Sequence, residues 1–155
     1  MKTAFDPGEV LALPLMANLA TMSLDGPRNA PVWFLWEDGV MWMLGGEGNA
    51  STRRLVADPR CAVEVVEFDN AGGVLRHVGL RGEAEVGPMD PALFRRLLAK
   101  YLGPDPGGWN PWFIEEVARI EDAAGRLLRL DPASVFTNDV SFFRTGPELA
   151  SRTIG

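Results

Sequence analysis

The residues best equipped for chemistry lie between Leu44 and Arg60, in the run LGGEGNASTRRLVADPR. Gly45, Gly46 and Gly48 free the backbone, and Ser51 or Asn49 then suits the N-cap of a short helix reaching about Ala57. The unpaired N–H groups and the positive dipole end of a helix start favour an anion. Ser51 and Thr52 can donate through their hydroxyls, and Arg53 or Arg54 can hold a phosphate in bidentate fashion. The same pattern also fits a capped surface helix whose arginines are merely solvated. A second concentration is aromatic: Trp33, Phe34 and Trp36 are followed by Trp42 between Met41 and Met43. Such a hairpin offers a flat apolar bed for a planar ring, or else barrel core and a subunit face. Alternation sets Trp33 and Leu35 on one face and Val32, Phe34 and Trp36 on the other.

Other candidates are few. His77, the only histidine, lies in a long strand and reads as a hydrogen-bonded structural or interface residue before a catalyst. Cys61 opens a strand as a small apolar residue. Glu64, Glu67, Glu83 and Glu85 alternate with apolar positions, as solvated strand faces do. Trp109 and Trp112, beside a Gly-Pro loop, form either a helix staple or aromatics offered to a neighbouring site. One cysteine excludes an internal disulfide, and one His with one Cys is too few soft ligands for zinc, so no metal site is expected. With 15 Lys+Arg against 21 Asp+Glu, the net charge of −6 argues against nucleic acid and anionic membranes as partners. The chemistry is therefore expected to come from a bound group.

These residues must be positioned by a chain of 155 residues, a length that predicts one domain over 1–155. Lys2 is followed at once by Asp6 and Glu9, unlike a signal segment, and the apolar stretch Val10–Ala20 is broken by Pro14 and Asn18. A cytoplasmic location is the expectation. Strands are predicted at 17–24, 30–36 and 40–44, with turns at Asp25-Gly26-Pro27 and Glu37-Asp38-Gly39. Further strands are predicted at 61–68 and 74–86, where Gly79 and Gly82 suggest a bulge or bend, and short closing strands at 127–130 and 135–137. Asp90-Pro91 and Asn110-Pro111 each pair a cap with Pro at the first helical position, opening helices to about Leu102 and about Ile120. The tail after Arg144 reads as loosely held or packed on a partner. The pattern favours a mainly β chain, an antiparallel β-barrel covered by short helices.

In order along the chain, LATMSLDGPRNAPVWFLWEDGVMWML, GGEGNASTRRLVADPRCAVEV, VLRHVGLRGEAEV and RLLRLDPASVF resemble the pyridoxamine 5′-phosphate oxidase-like, FMN-binding split-barrel superfamily. The resemblance covers roughly residues 10 to 138. It implies a six-stranded antiparallel split β-barrel, a homodimer with a flavin in each of two inter-subunit grooves, and an FMN-dependent oxidoreductase acting on a small-molecule substrate. Carried over by position, Pro31, Val32, Trp33 and Phe34 would line the isoalloxazine, and Leu44, Gly45 and Gly46 would pass beneath the ribityl chain. Asn49, Ser51, Thr52 and Arg53 would hold the phosphate. Many relatives place Lys where this chain has Ser51 and Asn where it has Arg54, so Arg53 or Arg54 must supply the positive contact. The C-terminal stretch SFFRTGPELASRTIG lacks the Arg-x-His of true pyridoxamine phosphate oxidases, and vitamin B6 oxidation is not expected. Some relatives bind F420 or haem instead of FMN. The alternative is thus a non-catalytic flavin, F420 or haem-binding dimer with a degenerate site.

Overall fold

The computed structural model describes residues 3–119 and 124–144. Asp6 accepts from the Gly8 N–H and Pro7 takes the first helical position, which opens a helix that the sequence reading does not anticipate, α1 (Pro7–Leu11). The chain continues as β1 (Ala17–Ser23), β2 (Gly26–Val32), β3 (Phe34–Glu37), β4 (Val40–Gly46) and α2 (Ala50–Ala57). Then follow β5 (Arg60–Asp69), β6 (Val74–Pro88), α3 (Pro91–Leu102), α4 (Pro111–Ala118), β7 (Gly125–Leu130) and β8 (Ser134–Asp139). Single 3₁₀ turns occupy Pro106–Gly108 and Ser141–Arg144. The Asp90 and Asn110 side chains cap α3 and α4 as their Pro-containing signatures predict. Ile120, the expected end of α4, and the tail beyond Arg144 lie outside the described residues. Among the described residues no helix is long and apolar enough to cross a membrane.

All strand pairs are antiparallel, in the order β2-β1-β5-β6-β7-β4-β3, with β8 pairing β6 off this path. The fold is mainly β and split, and the sheet does not close into a complete barrel. Among the described residues it has eight strands rather than six. One reason is that the expected strand over 30–36 divides at Trp33: β2 ends at Val32 and pairs β1, while β3 starts at Phe34 and pairs β4.

β6 is the spine. Its residues 74–83 pair β5 and residues 76–81 pair β8, after which residues 84–88 turn to β7. The change of partner falls at Gly82. A Cβ there would sit 3.0 Å from Leu130 Cδ1, 3.2 Å from Ala133 N and 3.3 Å from Asp131 O. Gly79 has no such crowding: Phe136 Cδ1, at 4.0 Å, is its nearest neighbour. Strand alternation then fills the interior, with Leu19, Val63, Leu80 and Val135 aligned across four strands and buried. Burial pushes the inward-facing Cys61 thiol up to about 11, leaving it inert at neutral pH.

The division at Trp33 is fixed by α3. Tyr101 Oη donates to Leu15 O (2.7 Å) and accepts from the Phe34 N–H (3.1 Å). Lys100 Nζ donates to Leu11 O (2.8 Å) and Phe34 O (3.1 Å), and lies 3.4 Å from the Phe34 ring centroid. The two faces of the run separate as alternation predicts. Phe34, fully buried, enters the main core with Val32 and Trp36 against it, while Trp33 joins a second cluster with Phe94, Leu98 and Trp109.

Two outcomes are expected. Gly82→Ala lowers the denaturation midpoint by an amount equivalent to about 1–3 kcal/mol, because backbone atoms hem in the new methyl, whereas Gly79→Ala changes it little. Burial pulls the Lys100 amine down to about 7, so between that value and its unfolded value of about 10.4 the folded chain binds fewer protons than the unfolded one. Stability contributed by this group therefore rises as pH increases through that window, and thermal midpoints of Lys100→Met measured against pH lack that rise.

Candidate functional site

The glycine-rich end of β4 and the start of α2 meet as the sequence predicts. Gly45 pairs Arg126 and Gly46 pairs Gly125 across β7, which fixes the strand end. Gly45 leaves no room for a side chain: a Cβ would lie 2.8 Å from Thr52 Oγ1 and 3.1 Å from Leu128. Thr52 is buried, and its hydroxyl accepts from the Gly46 N–H at 3.3 Å. The loop between is thereby tied to the first turn of the helix. Asn49 is the N-cap by backbone position, yet its side chain caps nothing. The side chains of Asp6, Asp90 and Asn110 accept from first-turn N–H groups in the other three α-helices, so α2 alone among them presents first-turn donors without a side-chain acceptor.

The arginines diverge. Arg53, exposed, donates to Gly48 O and borders two clefts. One, of about 420 Å³, also holds Thr52, Glu47 and Arg126; the other, of about 560 Å³, holds Arg54, Asp58 and Arg60. Arg54 Nε is spent on the buried Thr21 hydroxyl of β1 at 2.8 Å, and Arg60 is forked onto Asp58, whose carboxyl it holds down at about 2. Nothing in the sequence around Arg126 marks it for the site. It lies 3.5 Å from Glu47 and joins Arg53 only because β7 pairs β4, a register that short-range patterning does not reveal.

The aromatic candidates also separate. Pro31 is exposed on β2, which among the described residues pairs β1 alone. Val32 packs on the core. Phe34 is wholly buried and has no ring surface for a ligand, while its N–H and C=O are occupied by Tyr101 and Lys100. Trp33 stacks on Tyr101 with centroids 4.5 Å apart and planes 7° apart. Of the two later tryptophans, Trp109 is the staple: it is buried, and its indole N–H donates to Gly103 O at 2.8 Å. Trp112 is 58% exposed.

His77 lies elsewhere, on the outer face of the β1–β5–β6–β8 sheet. There Asn18, Ala20, Ala62, Glu64, Gly79 and Phe136 share with it a concavity of about 560 Å³. Its buried Nδ1 makes no hydrogen bond among the described residues, and Glu64 Oε1 lies 3.4 Å from it. Glu67 is not simply solvated, because it pairs with Arg76, which also reaches Glu9. No cluster of three His, Cys, Asp or Glu side chains suited to a metal occurs among the described residues.

Arranged in this way, the helix start can accept an anion through free N–H groups, the Ser51 hydroxyl and the Arg53 guanidinium. Thr52→Val is expected to lower stability by about 1 kcal/mol in chemical denaturation, since it orphans the Gly46 N–H, while Ser51→Ala leaves stability nearly unchanged.

No protein-family model matches the chain, and no curated protein does. Solved structures do match. A conserved hypothetical protein from Mycobacterium tuberculosis aligns with TM-score 0.67 at 21% identity, over 85% of this chain and 81% of that one. An F420 reductase aligns with TM-score 0.63 at 25% identity, over 84% and 96%. A FAD-binding protein from Mesorhizobium loti aligns with TM-score 0.62 at 19% identity, over 88% and 94%.

Proposed function

Because the chain has the split-barrel fold of the pyridoxamine 5′-phosphate oxidase-like, FMN-binding superfamily, we propose that it is an oxidoreductase built around FMN. The cofactor would lie at the seam of β2, the end of β4 and the start of α2. The observation that carries this reading is the uncapped first turn of α2, flanked by Arg53 and by a strand end that only glycine permits. The phosphate would be held by the α2 N–H groups with Asn49, Ser51 and Arg53, and Arg126 adds charge on the β7 side. Thr52 acts through Gly46, positioning the loop. Leu44, Gly45 and Gly46 would flank the ribityl chain. On β2, Pro31 and Val32 would meet the ring through the strand's unpaired backbone edge, while Trp33 and Phe34 support that edge from behind.

When bound, the flavin supplies hydride or electron transfer to a small organic substrate. The chain's share is to place the ring and neutralise the phosphate. That division suits a protein whose cysteine is inert and whose only histidine lies off the seam. The position of His77, on the outer sheet face beside Glu64, also favours FMN or F420 over haem. A second reading, a flavin carrier without a reaction of its own, is favoured by Ser51 in place of the usual Lys and by the engagement of Arg54 with Thr21.

The concave outer sheet face, floored by Ala20, Ala62 and Gly79, would receive a second copy of the chain. Light scattering at micromolar concentration should give the mass of a dimer; a monomer counts against this assembly.

FMN titration is expected to saturate with quenching of the flavin fluorescence. Arg53→Ala should weaken FMN about tenfold and leave riboflavin, which has no phosphate, unaffected. Ser51→Lys should tighten FMN several-fold by restoring a point charge. A protein that takes up neither FMN nor F420 has no flavin site.

A further inference from the structure

A cavity of about 450 Å³ lies between the glycine-rich end of β4 and α4, and the phosphate-binding reading leaves its chemistry unused. One wall is bare backbone at Gly45, Gly46 and Gly48. The others carry Phe94, Met89, Trp112 and Phe113. Trp112 stands edge-on to Phe113, with centroids 4.9 Å apart and planes at 85°. Phe113 in turn stacks on Trp33 at 5.7 Å and 17°, and so continues the Trp33–Tyr101 stack. Phe113 is therefore fixed from behind, while Trp112 keeps most of its surface open.

Among the described residues, the charged side chains lining this cavity are both carboxylates, Glu47 and Glu116, and no Lys or Arg lines it. Glu47 is drawn toward Arg126 at 3.5 Å. Glu116 has no ion-pair partner among the described residues, because the neighbouring Arg119 is taken by Glu115. A phosphate placed here would face Glu47, already engaged by Arg126, and Glu116, which no cation among the described residues answers. A neutral ring would use the aromatic walls and leave the carboxylates unanswered. A planar cation satisfies both, since aromatic faces and carboxylates attract the same charge.

We propose that this cavity binds a small planar organic cation, an N-alkylated nitrogen heterocycle, with its ring against Trp112 and Phe113 and its charge toward Glu116. The site abuts the strand end assigned to the cofactor, which suits a substrate pocket, but binding of the cation does not require the cofactor.

Calorimetric titration of the purified chain with 1-methylnicotinamide and with nicotinamide, a closely matched ring without the charge, tests the proposal. The cation is expected to bind at one site about tenfold more tightly than the neutral ring, an advantage that shrinks with added salt. Glu116→Gln should remove most of that advantage, and Trp112→Ala should weaken both compounds. Trp112→Phe, which keeps an aromatic face, should retain most of the affinity, and circular dichroism verifies that each variant is folded. Equal affinity for the two compounds overturns the proposal, as does an undiminished preference in Glu116→Gln; both comparisons stand even if Trp112→Ala fails to fold. Cation preference in a protein that takes up no flavin supports this site while removing the cofactor reading, and flavin uptake without cation preference does the reverse.

Discussion

Two adjacent residues of α3 hold the molecule in its split form. Lys100 and Tyr101 both reach the peptide groups of Phe34, and from there Lys100 ties in Leu11 and Tyr101 ties in Leu15. The chain leaves one half of the sheet at Val32 and enters the other at Phe34, so polar backbone groups lose their ladder partners at an interior position. Leaving such groups unpaired costs about 1–3 kcal/mol each. A phenol and an amine supply the missing partners. The ammonium is half-buried to do so, with the Phe34 ring 3.4 Å away and the Tyr101 ring 5.3 Å away as polarisable neighbours. β2, held along its length by β1, is joined to β3 at this junction.

Local signals carried much of the architecture. Asp90-Pro91 and Asn110-Pro111 state where two helices begin because a cap and a fixed φ act within three residues. Gly82 marks the bend because a single missing methyl is enough to reveal a close approach. Asp6-Pro7 carried the same information and was hidden by the short, apolar run that follows it. The break at Trp33 had no local signature. Apolar residues continue through it, and its cause lies in Lys100 and Tyr101, dozens of residues away. The resemblance of ordered motifs to a split-barrel family supplied what periodicity could not, the arrangement of the sheet.

The candidate site was legible to a similar depth. The run from Leu44 to Arg53 forms the loop and helix start it promised, held by Thr52 in a way that hydroxyl counting alone does not show. Arg53 and Arg54, adjacent in sequence, diverge because neighbouring helical positions point about 100° apart; one faces the loop and the other reaches β1. Arg126 enters the site through strand pairing, and Trp112 through the docking of α4. Pairwise proximity of that kind is written in no single stretch of chain. Phe34, an apparent ligand-facing aromatic, turns out to be core, which leaves its neighbours Pro31 and Val32 to present the strand edge.

That edge has a consequence for how the protein avoids its own kind. A terminal strand with open N–H and C=O groups is a template on which other chains add strands and grow aggregates. β2 carries Pro27 and Pro31, which have no N–H to offer, and the charged Arg28 between them. Another strand therefore finds an interrupted row of donors there. Edge-to-edge growth from β2 is thereby discouraged, and the strand can end the sheet without a covering neighbour.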